Sequence, residues 1–181
     1  MNKQNSIVVV LLTCVLIICA ALTYLYVRVP RDHAQAPAKS LLATSETQSF
    51  TDLSGAPLDL QQYKGRVRVV NSWASWSPLS KRELSDLDAI AASYAGKNIV
   101  VIAIDRKESK EQATRFLKTI GDLPHLVFAI DVNDTYYRSV GGYAMPETVF
   151  YDAAGNIVEH VRGDMTKAQM QQYVDETLNA H

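Results

Sequence analysis

The 181-residue chain predicts one α/β domain, a mixed sheet covered by helices, carried behind an N-terminal apolar segment. Three observations lead there. Val67-Arg68-Val69-Val70 and Ile99-Val100-Val101-Ile102-Ala103-Ile104 are β-branched runs without polar alternation, as strands buried on both faces require. Apolar residues between and after these runs recur at helical spacing. Pro146 to Tyr151 and Ile157 to Val161 flank the turn formers Asp152-Ala153-Ala154-Gly155-Asn156, the pattern of an antiparallel hairpin.

Asp52-Leu53-Ser54-Gly55 marks a turn upstream of the first long strand and predicts an added N-terminal hairpin. After Val67–Val70, the residues Leu84, Leu87, Ala91 and Tyr94 share one face of a helix. The strand at 99–104 follows, and Ala113, Phe116, Leu117 and Ile120 then place a second helix between Glu108 and Ile120. Strand, helix, strand, helix is a βαβ unit. A third strand is expected from Leu126 to Ile130, then the hairpin, then a closing helix from Thr166 to Leu178. Parallel strands first, with a hairpin and helix last, is the element order of a thioredoxin fold.

Residues 1–6 read as a short tail. The apolar run 7–27 is long enough to cross a hydrocarbon core as a helix and exceeds the h-region of a cleavable signal peptide, so a retained transmembrane signal anchor is expected. The only two cysteines, Cys14 and Cys19, lie inside it. Thr13 and Ile18, which precede them, are poor matches to the small residue that lipidation would need. Lys3 on one side against Arg28, Arg31 and Lys39 on the other opposes an outward-facing domain, although long domains translocate largely regardless of charge. Residues 28–48, with Pro30, Pro37 and several alanines, read as a tether. Residues 49–181 have the size and apolar content of one ordinary domain.

Eighteen basic residues against nineteen acidic ones leave a net charge of −1, which offers nucleic acid no broad attraction. His33, His125, His160 and His181 are too scattered for a ligand set, and no Cys/His spacing points to zinc, so no metal is expected. Without a glycine-rich phosphate loop or another cofactor motif, no cofactor is expected either.

Three separated motifs carry a family resemblance. They are Trp73-Ala74-Ser75-Trp76 followed by Ser77-Pro78-Leu79-Ser80 and Glu83, then Tyr143-Ala144-Met145-Pro146-Glu147-Thr148, and finally Asp152-Ala153-Ala154-Gly155-Asn156-Ile157 leading to Arg162-Gly163-Asp164. The chain resembles the membrane-anchored thioredoxins of the TlpA/ResA type, and most closely the cytochrome c maturation members, CcmG/DsbE. The match spans nearly all of the domain after the tether. It implies an extracytoplasmic protein on the inner (cytoplasmic) membrane, single-pass, with its C-terminal domain on the periplasmic side. It also implies electron transfer to the haem-attachment site of apocytochrome c or to a protein handling it.

By the same resemblance, Ser77 and Ser80 fall on the nucleophilic and resolving cysteines, Glu83 and Glu147 match acids near that site, and Pro146 matches the family's cis-proline. The departure is chemical. Thiol-disulfide exchange needs an attacking thiolate and a resolving thiol, and a hydroxyl serves as neither. No catalytic residue is therefore assigned in this sequence.

Two roles are open to the degenerate site. Ser77 as N-cap with Pro78 at the first helical position is a structural reading. Alternatively, the helix start presents backbone donors and a hydroxyl to a bound peptide. Glu83 borders the face carrying Leu84 and Leu87 and is expected to be partly buried, where a raised pKa would suit proton transfer; the other reading is a first-turns acid favoured by the helix dipole. Trp73 suits the core and Trp76 an exposed contact. Trp76, Ser77, Pro78, Met145 and Pro146 form the candidate binding set, with an extended polypeptide client, an apocytochrome c or a maturation component among the candidates. The leading expectation is a redox-inactive, membrane-tethered polypeptide-binding or scaffold protein. The alternatives are an oxidoreductase whose native form has cysteines at 77 and 80, and a structural subunit of an envelope complex.

Overall fold

The computed structural model describes residues 50–180. The proposed anchor at 7–27, the tether at 28–48, both cysteines, His33 and His181 lie outside the described residues. Among the described residues no helix is long and apolar enough to cross a membrane.

Two short strands, β1 (Phe50–Thr51) and β2 (Pro57–Leu58), pair antiparallel as the expected upstream hairpin. Asp52 closes its turn by accepting the amides of Ser54 and Ala56, and Gly55 takes a φ of +93°, which favours glycine there. β3 (Val67–Trp73) and β4 (Ile99–Arg106) pair in parallel from Val67 opposite Ile99 to Trp73 opposite Asp105, and β5 (Leu126–Asp131) adds to β4 in the same sense. β6 (Glu147–Tyr151) runs antiparallel to β3, and β7 (Ile157–Arg162) antiparallel to β6. The spatial order is β2-β1-β5-β4-β3-β6-β7. Every residue of β3 is buried, as its unalternating pattern predicts.

The helices are α1 (Ser80–Ser93), α2 (Lys110–Leu117), α3 (Thr135–Ser139) and α4 (Lys167–Asn179). Ser109 caps α2 through the Gln112 amide, and Thr166 caps α4 in a reciprocal box with Gln169. α2 is shorter than its apolar pattern suggests, because Thr119, Ile120 and Gly121 continue it only as turns. Neither α3 nor the 3-10 turn at Leu60–Tyr63 was anticipated from periodicity, since each is too short to repeat an apolar position.

One core cluster joins Val69, Trp73, Leu84, Leu87, Ala113, Phe150 and Val174, which packs α1, α2 and α4 against one face of the sheet. Val70, Val100, Ile102, Tyr136 and Tyr151 with Phe50 and Leu60 form the core on the other face. Arg68 is drawn wholly into that second core, its guanidinium 5.5 Å from the Tyr151 ring centroid, and burial lowers its pKa.

Three parallel strands ending together, beside an antiparallel strand that begins there, bring four loops to one edge. These are the loops after β3, β4 and β5 and the one before β6.

Candidate functional site

β3 delivers Trp73 to the edge of the sheet, fully buried, stacked on Phe116 at 5.5 Å and edge-on to Phe128 at 6.4 Å. The chain then leaves the sheet in two tight turns. The Ser77 amide donates to the Ala74 carbonyl and the Ser80 amide to the Ser77 carbonyl, so α1 begins at Ser80 with Leu79 as N-cap and no side-chain capping bond.

This corrects the N-cap reading of Ser77 and the placement of Pro78 inside the helix. An N-cap oxygen must reach an amide of the first turn, whereas Ser77 sits three residues upstream in its own turn. Its hydroxyl is buried and has no hydrogen-bond partner. Ser80 is also fully buried, and its Oγ accepts a long 3.4 Å bond from the Ala74 amide. Pro78 and Trp76 are exposed, with Trp76 at 62%.

Glu83, one turn into α1, is fully rather than partly buried. Its Oε1 accepts from Asn71 Nδ2 at 2.9 Å and Thr148 Oγ1 at 3.1 Å, which ties α1 to the paired positions of β3 and β6, while Oε2 has no partner. Burial pushes its pKa up to about 8, against the Thr148 bond that favours the charged form. A protonated carboxyl here can release or take up a proton near neutral pH.

Ser72 pairs with Glu147 across β3 and β6, which sets Pro146 beside the strand end from which the 74–79 loop departs. The Met145-Pro146 bond is cis, as the resemblance implied; Pro146 is buried and Met145 half-buried. Glu147 is buried, and its Oε2 accepts the amides of Tyr143 and Ala144 at 3.0 Å each. Its Oε1 meets His160 Nε2, with Arg162 Nε 3.8 Å away. Burial, the largest influence, raises its pKa, but His160 and the two amides together outweigh it and hold the carboxyl below its usual range. The two matched acids are thus opposite in state, Glu83 held neutral and Glu147 held ionised.

Sequence reasoning missed a second acidic pair at this edge. Asp105, at the end of β4, is fully buried with neither carboxylate oxygen partnered, and its pKa is pushed to about 9 by burial first and by Glu108 next. Glu108 anchors the site loop, accepting from the Ser75 amide and hydroxyl at 2.8 Å each and from Gln112 Nε2 at 2.6 Å. The signal was available in Asp105-Arg106-Lys107-Glu108, a charged run that abruptly ends an apolar strand. His160, set aside as one of four scattered histidines, proves to be the side-chain partner of Glu147.

The three large hydrophobic residues most exposed among the described residues are Trp76 at 62%, Val132 at 56% and Tyr143 at 77%. All three stand on the loops at this one edge, after β3, after β5 and before β6. Arg162 lies over the Tyr143 ring at 5.0 Å.

A family model described as Redoxin matches residues 34–178. The thiol-disulfide oxidoreductase ResA of Bacillus thuringiensis subsp. konkukian is 27% identical over 124 residues, which covers 68% of this chain and 70% of ResA. The thiol:disulfide interchange protein DsbE of Vibrio cholerae is 29% identical over 118 residues, 65% of this chain and 61% of DsbE. Among solved structures, a secreted Mycobacterium tuberculosis disulfide oxidoreductase homologous to DsbE aligns with a TM-score of 0.62 at 22% identity. It covers 71% of this chain and 94% of its own. That likeness shows the fold. The thioredoxin-like architecture and the family model agree, and the chain belongs to the redoxin family.

Proposed function

We propose that this protein is a membrane-tethered, extracytoplasmic member of its family that binds a polypeptide without exchanging disulfides. The observation that carries the reading is that Trp76, Val132 and Tyr143 are exposed on loops at the same end of the sheet as Ser77 and Ser80, whose hydroxyls are buried. Exposed aromatic residues clustered at one edge supply contact area for a partner, and that area does not depend on sulfur. Cys14 and Cys19, far from positions 77 and 80 in the chain, cannot stand in for the missing pair. The apolar run at 7–27 supports the tether, and the resemblance to CcmG/DsbE supports an extracytoplasmic client of the apocytochrome c kind. No metal or cofactor is part of the reading.

Calorimetric titration of the full-length chain in detergent solution with a peptide containing the haem-attachment motif tests it, alongside Trp76→Ala and Tyr143→Ala. Saturable binding, weakened in both variants, is expected. Absence of binding would favour a structural subunit of an envelope complex.

A second reading has its own support. The Glu83 pKa is still pushed up to about 8, and Ser77 Oγ is buried without a partner, as if the site were shaped for sulfur. The ResA and DsbE relatives are named as thiol-disulfide oxidoreductase and interchange protein. An oxidoreductase whose native gene encodes cysteine at both positions would fit, and reading those codons separates the two.

A further inference from the structure

Beside Trp76 opens a cavity of about 390 Å³, lined by Trp76, Arg106, Lys107, Glu108 and Gln112. Most of its polar groups are already committed. Arg106 bonds Asp134, with Nε 2.8 Å from Oδ1, and lies 3.6 Å over the Tyr137 ring. Glu108 and Gln112 are engaged with each other and with Ser75.

Lys107 differs. Its side chain is exposed, and among the described residues its ammonium makes no ion pair or hydrogen bond. Its backbone has a φ of +60°, which only one other described non-glycine residue, Asp134, shares in sign, and it is pinned there by its amide donating to the Asp131 carbonyl at 2.9 Å. A lysine kept in the left-handed region when glycine would do so without steric cost is a backbone outlier of the kind that gathers at binding sites.

Resting on the reading that this edge binds polypeptide, we propose that the cavity is a subsite for an acidic side chain of the bound chain. Its carboxylate meets Lys107 Nζ and its carbon stem lies along the exposed Trp76 indole. A carboxylate brings the one interaction the cavity lacks, a charge-assisted bond to the uncommitted ammonium. A cationic side chain would meet Lys107 repelling it and a Glu108 carboxylate that already accepts three hydrogen bonds, two at Oε1 and one at Oε2. Lysine offers a point charge on a flexible stem, which suits either an aspartate or a glutamate.

The test titrates the full-length chain with three peptides identical but for Asp, Asn or Lys on both sides of the same haem-attachment core. The Asp peptide is expected to bind about two- to fivefold more tightly than the Asn peptide at low salt, as for a partly exposed ion pair, and the Lys peptide more weakly than either. Lys107→Gln should abolish the Asp-over-Asn preference while leaving the Asn peptide's affinity unchanged, and Lys107→Glu should reverse the preference toward Lys. High salt should flatten it. Binding of all three peptides with equal affinity, or a preference that survives in Lys107→Gln, overturns the subsite and leaves the polypeptide-binding reading standing. Binding of none overturns both.

Discussion

Glu83→Gln should remove a large share of the fall in stability that the protein otherwise shows between mildly acidic and mildly alkaline pH, the rest of that fall belonging to the buried Asp105. Glu83 is fully buried, with Oε1 satisfied by Asn71 and Thr148 and Oε2 unpartnered, and its pKa rises from 4.5 to about 8 on folding. An acid whose folded pKa is raised leaves the two states equally protonated below pH 4.5. Above that, the unfolded chain ionises first, and stability falls until the folded carboxyl also ionises near pH 8. Each pH unit across the interval costs about 1.4 kcal/mol, so the whole interval amounts to roughly 5 kcal/mol, an upper figure because water entry and relaxation soften burial. Glutamine imitates the neutral acid in shape and keeps an oxygen for Asn71 and Thr148. Urea unfolding of both proteins at a series of pH values from 5 to 9 isolates Glu83, since Asp105 contributes equally to each. A stability difference between the two proteins that stays constant across this range would refute the reasoning and mean that Glu83 is ionised in the folded state.

Glu147 should behave in the opposite sense. Its carboxyl is held below the usual range, so its contribution is present above about pH 4.5 and is lost as pH falls through the lower folded value. Glu147→Gln, which strips the charge facing His160 and Arg162, should cost about 3 to 5 kcal/mol at neutral pH by chemical denaturation and shrink the acid limb; an unchanged acid limb would contradict the assignment. Ser77→Ala removes a buried hydroxyl that has no partner and should stabilise the fold by about 1 kcal/mol in a thermal melt. A loss of stability would show that the hydroxyl is bonded. Ser77→Cys combined with Ser80→Cys should confer dithiothreitol-driven insulin reduction, measured by turbidity, because the neutral Glu83 and the site loop are already in place. An inert variant would show that the surroundings have departed from a working exchange site as well.

Much of the fold was legible because it is set locally. The unalternating β-branched runs of β3 and β4 can only be strands covered on both sides. The turn residues Asp152 and Gly155 close the β6–β7 hairpin with the side-chain bonds and the φ of +98° that such a turn uses. The apolar faces of α1 and α4 and the capping threonine at 166 likewise declare themselves within a few residues.

The candidate-site residues could be named from the sequence too, since Trp73, Trp76, Ser77, Ser80, Glu83, Pro146 and Glu147 stand in recognisable spacing. Their states could not. Whether Ser77 caps a helix depends on where the chain turns, and that turn is fixed by Glu108 holding Ser75 from another strand's loop. Whether an acid is neutral or charged depends on what surrounds it in three dimensions. Glu83 and Glu147 have nearly the same local chemistry and end with opposite pKa shifts, because one faces a dry core with two neutral donors and the other faces two amides, a histidine and an arginine. Asp105 and Glu108 acquire meaning only once β4 lies beside β3. The sequence by itself determined the element order, the turns and the absence of sulfur at the site. Only the tertiary structure, through strand order and burial, brought Trp76, Lys107, Val132 and Tyr143 to one edge, since residues distant in the chain become neighbours only when parallel strands end together.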